Sequence, residues 1–286
     1  KMFQLVVLSR VLTDKVTFKQ FNDVQSTLEQ MVSTNKSIAR FGDGEFLLML
    51  GRSFNFQKAS KKLSQDLKKV LDSNNKNLMV GVPGYLFDRT KLTPSAKQFW
   101  DKFVREQAKA LKRMINREKP YYDTQVTRPY IDLLNKEHAP ALFEKMKQIW
   151  DKKDIILIEG SKSRLGVGND LLDNAKSVKR IIGPAAQAYE KIDQIMTEIK
   201  KHPKDKLYIL ALGPTATVLA YRMSKLGYRA LDMGHFDIEY EWMKLGTLEK
   251  VAIPGKYVFE AQIKYIDQAQ IENDAKYRSE IVATIL

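Results

Sequence analysis

The 286-residue sequence contains no cysteine, which excludes a disulfide framework, a thiolate nucleophile and a thiolate-bound zinc. Histidine is nearly as scarce: His138, His202 and His235 are all there are, and they lie far apart along the chain. A multi-histidine metal cluster is therefore not expected. Any metal should sit mainly on carboxylate oxygens, a donor set that suits magnesium or manganese. Long apolar runs are missing too. Leu5-Val6-Val7-Leu8 is too short to span a bilayer and, behind a single lysine, makes a poor signal peptide. No other stretch approaches the ~20 apolar residues that a span needs. These absences predict a soluble, cytoplasmic protein without a transmembrane segment.

What is present is a large apolar fraction and an excess of positive charge. With 44% hydrophobic residues the chain can fill a substantial core, and residues 1–286 are expected to form one domain. The formal net charge of +14 invites a nucleic-acid reading. The lysines, however, are scattered over helix faces, as in Lys61-Lys62 with Lys68-Lys69, and Lys109 with Lys112 and Arg113. No helix-turn-helix, RNA-recognition or zinc-finger signature accompanies them. A solvated basic surface is the better reading, with attraction of phosphate-bearing ligands or an anionic membrane face as the milder functional one, and no nucleic-acid partner is expected.

Short β-rich runs alternate with longer helical patterns, which predicts an α/β fold: a Rossmann-like, mostly parallel sheet with helices on both faces. Ser37 to Phe41 reads as a first strand. Further strands are expected at Asn77–Val82, Asp154–Ile158, Val178–Ile182, Leu207–Leu212 and Tyr228–Met233. Thr93-Pro94 supplies an N-cap and a first-turn proline for a helix whose buried stripe runs from Trp100 to Ile115. A second helix is patterned by Ile192, Ile195 and Ile199, and a third ends at Gly227. Strand ends carrying glycine and polar residues recur after residues 41, 158, 212 and 233. In open α/β sheets ligands bind there, where the loops converge.

Four segments at those ends carry candidate chemistry. In Arg40-Phe41-Gly42-Asp43-Gly44-Glu45, two carboxylates one residue apart can project together as a strand ends. The flanking Gly42 and Gly44 let the backbone approach a ligand. Asp43 and Glu45 suit a divalent cation bridging a diphosphate, and Arg40 a phosphate contact. The competing reading is an Asp-Gly turn with Glu45 opening a helix. In Ser161 to Asp170, Gly166 and Gly168 make a flexible loop whose amides could cradle phosphate beside Lys162 and Arg164, followed by Asn169 and Asp170. It matches neither the Walker loop nor the full dinucleotide fingerprint, so a plain surface connection is as good a reading. Gly213-Pro214-Thr215 opens a helix whose free N–H groups could meet a phosphate, or Thr215 simply caps it.

The fourth segment, Asp232 to Trp242, packs four acids and His235 among aromatics within a basic protein. If helical, Asp237 and Glu241 share a face with Glu239 nearly opposite; if extended, all three acids share one. Asp237, Glu239, Glu241 and His235 are the candidates for removing a proton from an acceptor hydroxyl, against an acidic helix start favoured by the helix dipole. Thr127-Arg128-Pro129-Tyr130 and Pro83-Gly84-Tyr85 are looser candidates.

Taken together, RFGDGE at residues 40–45, SRLGVGNDLLDNAKSVKRIIGPA at 163–185 and ALGPTATVLAY through ALDMGHFDIEYEW at 211–242 resemble the bacterial GT-D-type glycosyltransferase family. That family is associated with glycosylation of serine-rich repeat adhesins. The resemblance covers approximately residues 20–275. It implies a Rossmann-like fold, a UDP-sugar donor, commonly UDP-glucose, and a manganese-type cation. Its Asp-X-Glu motif carries over onto Asp43 and Glu45, and transfer to a glycan on an adhesin, with inversion, is the implied reaction. The roles given above to Arg164, Gly168, Asn169, Asp170, Thr215, Asp237, Glu239 and Glu241 come from loop position and are not carried over. Two alternatives stand beside it: a basic nucleic-acid-binding α/β module, which the acid-rich 232–241 segment opposes, and another nucleotide-dependent transferase. Of the latter, a phosphotransferase lacks its Walker lysine, and for a methyltransferase the acidic pair at 43 and 45 fits a metal–diphosphate better than a methyl donor.

Overall fold

Alternate residues of the central strands serve two different cores. In β5 (Asp154–Gly160) and β7 (Leu207–Ala211), Ile156, Ile158, Tyr208 and Leu210 join one buried cluster, while Ile155, Leu157, Leu207 and Ile209 join the other. A strand covered on both faces must be apolar on both, which is why these segments read as unbroken hydrophobic runs. Each such side chain removed from water contributes about 1.5–3 kcal/mol. The structure, a computed structural model, describes residues 20–258 and 274–286. The Leu5–Leu8 run lies outside them. Among the described residues, no helix is long and apolar enough to cross a membrane.

Among the described residues nine strands form one sheet in the order β1-β4-β3-β2-β8-β7-β5-β6-β9, and every pairing among them is parallel. The other strands are β1 (Phe21–Asn22), β2 (Ser37–Arg40), β3 (Leu78–Val82), β4 (Tyr121–Asp123), β6 (Ser177–Gly183), β8 (Arg229–Asp232) and β9 (Ile281–Thr284). Parallel neighbours need crossovers, and helices supply them. One face carries α2 (Asp43–Met49), α3 (Lys61–Leu71), α4 (Pro94–Met114), α6 (Ile192–Ile199) and α7 (Pro214–Lys225); the other carries α1 (Val24–Ser33), α5 (Ala139–Lys147) and α8 (Phe236–Leu245). A last helix, α9 (Ala275–Glu280), leads into β9. The expected Rossmann-like α/β architecture is the observed one.

Local chemistry sets several boundaries. The Thr93 hydroxyl accepts from the Ala96 N–H at the start of α4, and Pro94 occupies its first turn, as the sequence predicts. The strand expected first, over residues 37–41, is preceded by the two-residue β1 and ends at Arg40. At the far edge, pairing of β6 with β9 shifts register between Arg180 and Ile181. There the buried Arg180 guanidinium donates to Glu159 and Glu280, both at 2.6 Å, and tethers the C-terminal strand to the sheet interior.

Candidate functional site

A cleft of about 660 Å³ opens over the carboxyl ends of six adjacent strands. Its walls take residues from just past β4 (Thr124, Gln125), β3 (Pro83), β2 (Phe41 to Glu45), β8 (Gly234, His235), β7 (Gly213, Pro214) and β5 (Lys162, Ser163). At ~4.8 Å between strands, six strands extend over roughly 24 Å, a length suited to an extended ligand rather than a compact one.

The middle of the cleft belongs to β2. Asp43 and Glu45 do not project from a strand end as expected; they occupy the first turn of α2, where residues two apart point to different sides. Glu45 overcomes that divergence by folding back, so that its Oε2 accepts the Gly42 N–H at 2.6 Å. This caps the helix and returns the second carboxylate to the end where Asp43 sits. Burial pushes Glu45 from its ordinary 4.5 to about 7, with Asp232 and Asp43 adding to the rise and the Gly42 N–H opposing it. A desolvated carboxylate beside other acids, with oxygen the only donor type, fits a hard divalent cation. Among the described residues, no group of three or more acids and histidines forms a ready-made cage. A cation held by Asp43 and Glu45 would therefore complete its shell from phosphate oxygens and water.

Arg40 lines the cleft but is committed to the protein. Its backbone N–H donates to Asp232 Oδ2 at 3.2 Å, its Nε to the Asp232 carbonyl at 2.8 Å, and its Nη1 to Thr127 Oγ1. Thr217 donates to the Arg40 carbonyl at 2.9 Å and to Asp232 Oδ2 at 3.2 Å. Burial raises Asp232 above the usual carboxylate range, while Arg40 acts in the opposite direction. The arginine expected to meet phosphate thus braces β2 against β8. Gly234, with φ +52°, must lack a side chain because a Cβ there would overlap the Arg40 guanidinium.

The loop after β5 divides. Lys162, Ser163 and Leu165 line the cleft, whereas Arg164, Gly168, Asn169 and Asp170 do not. Arg164 turns away to Asp274, at 2.7 Å, and lies over the Tyr277 ring. Asp170 is held by Lys147 and Tyr240. Asn169 donates to both Asp237 Oδ1 (2.8 Å) and Glu241 Oε1 (2.7 Å). Gly166 and Gly168 adopt the left-handed backbone that glycine permits, with φ +75° and +79°, but it serves the turn.

Residues 236–245 are helical, so the helical alternative for the acid-rich segment is the one observed. Asp237 reaches the cleft wall; Glu239 and Glu241 do not. Asp237 accepts from the Gly166 N–H at 3.0 Å, from Asn169, and from Lys256 at 2.7 Å. Lys256 also holds Glu241 at 2.7 Å. Glu239 is fully buried, with Oε2 accepting the N–H groups of Tyr130 and Ile131 at 3.0 Å and Oε1 lying 3.5 Å from Arg128. Burial raises its carboxyl; Arg128 and the two amides oppose that. Arg128 in turn lines the cleft, so Glu239 acts on it from behind.

On β7, Gly213 rather than Thr215 caps α7, and the Thr215 hydroxyl is buried within the helix away from the cleft. Gly213 has φ +54°, and a Cβ on it would overlap the Phe56 ring. Phe54 and Phe56, Phe99, Gln125, Lys250 and Tyr257 complete the walls, and sequence reasoning missed all of them. Only the paired aromatics Phe54 and Phe56, flanked by polar residues, offered a signal.

A doubly covered parallel sheet with one long cleft along its strand ends is the architecture of Rossmann-like enzymes. A family model described as glycosyltransferase GT-D fold matches residues 38–261, and the chain belongs to that family. It is 36% identical over 288 residues to the glycosyltransferase GlyD of Streptococcus pneumoniae serotype 4, covering 99% of this chain and 34% of that protein. It is also 36% identical over 263 residues to Gly of Streptococcus gordonii, a probable glycosyl transferase, covering 92% and 38%. The chain thus spans about a third of the length of these curated relatives. A solved domain described as having a distinct glycosyltransferase fold superimposes with a TM-score of 0.91 at 32% identity, covering 99% of this chain and 100% of the other. A solved glycosyltransferase from Streptococcus sanguinis gives a TM-score of 0.88 at 35% identity, covering 93% and 99%.

Proposed function

We propose that the chain is a glycosyltransferase domain that moves a hexose, glucose by preference, from a UDP-sugar to a glycan on a serine-rich bacterial surface adhesin. The observation that carries this reading is the meeting of Asp43 and Glu45 at the start of α2, in the middle of a cleft formed by a GT-D fold. Asp43 and Glu45 would hold manganese or magnesium, which supplies positive charge against the departing diphosphate. Lys162 and the N-terminus of α7 add fixed positive charge along the same cleft, while Arg128, at its other end, is paired with Asp132 and Glu239.

Inverting transfer also needs a group to take the proton from the attacking hydroxyl. Asp237 receives hydrogen bonds from three donors, which hold the carboxylate in place and occupy its oxygens. We assign it to positioning. His235, on the same wall, is the proton acceptor in this account, since a ring nitrogen with a lone pair can take the proton of an attacking hydroxyl. A screen of UDP-sugars with and without manganese, reading released UDP, tests the reading. Manganese-dependent release from one hexose donor is expected, and no release from any UDP-sugar would refute it. His235→Gln is expected to lower kcat at least a hundredfold with donor KM little changed.

A further inference from the structure

We propose that the end of the cleft over β3 and β4 is the subsite for the acceptor's terminal sugar, packed on Phe99 and hydrogen-bonded by Gln125. This rests on the glycosyltransferase reading and adds to it where the acceptor lies.

Phe99 belongs to α4, whose neighbouring Trp100 and Phe103 turn inward and are almost fully buried. Phe99 does not follow them: half of its surface remains in water, within the cleft wall. The ring is nonetheless fixed. It stands edge-on to Trp100 at 5.5 Å and 89°, and parallel to Phe103 at 6.5 Å and 12°. A rigid, exposed aromatic face in a concave site is a recognition surface more than a packing remnant. The C–H face of a pyranose is a ligand of matching shape and polarity.

Gln125 supplies the polar half. Its residue is 5% exposed and lines the cleft, yet its Oε1 has no hydrogen-bond partner. A buried acceptor left without a donor is destabilising. The turn that holds it is rigid, because Asp123 Oδ1 accepts the N–H groups of both Gln125 (2.9 Å) and Gly84 (3.1 Å) and joins the ends of β4 and β3. An unpaired acceptor calls for a donor, so it selects a hydroxyl and rejects a phosphate. The neighbouring Asp132, which lines the same region, is paired with Arg128 at 3.3 Å and Lys250 at 2.9 Å. The diphosphate therefore belongs to the β2, β7 and β5 side, where the acid pair and Lys162 sit. Strand β4 lies two places from β2 in the sheet, roughly 10 Å away, which is the room one sugar ring needs beside the reacting centre.

The test reads two ligands separately. Binding of a panel of methyl glycosides is followed by NMR in the presence of UDP and manganese, and binding of UDP by calorimetry. At least one glycoside is expected to bind the wild type. Phe99→Ala should weaken it by roughly tenfold, leaving UDP affinity within about twofold. Gln125→Leu should also weaken the glycoside while leaving thermal stability equal or higher, since it removes the orphaned oxygen; a merely structural glutamine would lower stability without a selective loss of binding. Failure of every glycoside to bind, or unchanged glycoside affinity in both variants, overturns the proposal. So does a loss confined to UDP, which would place the uracil ring on Phe99. None of these outcomes depends on turnover, so a failed donor screen remains distinguishable.

Discussion

The Arg40 guanidinium reaches from the last residue of β2 to the last residue of β8, where its Nε meets the Asp232 carbonyl at 2.8 Å and its Nη2 lies 3.4 Å from Oδ1. The two strands share only one register pair, Ile38 with Leu231, so this contact closes the sheet beneath the cleft. Asp232→Ala leaves Arg40 uncompensated in a largely buried place. It is expected to lower stability by about 3–5 kcal/mol, read from urea unfolding. A double variant, Arg40→Met with Asp232→Leu, should recover part of that loss; equal stability of wild type and Asp232→Ala would contradict the role.

Lys256 joins Asp237 and Glu241 on the buried side of α8, at 2.7 Å to each. Lys256→Met leaves two carboxylates facing one another with only Asn169 between them. We expect destabilisation of about 3 kcal/mol or more, with displacement of residues 250–258 detectable as faster amide exchange. Unchanged exchange in that loop would show that Lys256 does not anchor it.

Phe56 is held where Gly213 leaves room for it. Gly213→Ala adds backbone strain at φ +54° and a clash with the ring, an expected cost of about 1–3 kcal/mol. The displaced ring should also lower UDP affinity. A variant as stable as the wild type, with its UDP affinity intact, would contradict this.

Glu45 makes the metal-free protein pH-sensitive. Its carboxyl sits at about 7 in the fold against an ordinary 4.5. Between those values the folded state keeps a proton that the unfolded chain has lost. Stability from this group therefore falls as pH rises through that window and levels off above it. Glu45→Gln keeps the acceptor for Gly42 and should make the curve less steep between about pH 5 and about pH 7.5, where buried Asp123, at about 6, still contributes a fall. A wild-type curve already flat across that range would contradict the burial of this carboxylate.

The sheet was legible wherever a strand is buried on both faces. Residues 154–160 and 207–211 announce themselves because both sides of the strand must be apolar. The strands at 21–22, 121–123 and 281–284 run to only two to four residues and carry no such run. The acid pair at 43 and 45 was legible as a motif, and its helical setting was legible as the competing reading, a turn with Glu45 opening a helix. The loop after β5 misled for a definite reason: what turns Arg164 and Asn169 away from the cleft are Asp274 and Asp237, 110 and 68 residues distant in sequence. Charge and glycine content identify a loop that could bind phosphate, but the partners that capture its side chains come from elsewhere in the chain. Phe99 and Gln125 were hidden likewise, one immediately ahead of a stripe that reads as core, the other in a turn without a motif.

Manganese binding in the presence of UDP, followed by electron paramagnetic resonance on wild type, Asp43→Ala and Glu45→Ala, tests the central assignment most directly. Each variant should stay folded, lose at least tenfold in manganese affinity and lose metal-dependent release of UDP from the donor sugar. Manganese bound as tightly by both variants as by the wild type would place the cation elsewhere and remove Asp43 and Glu45 from the chemistry.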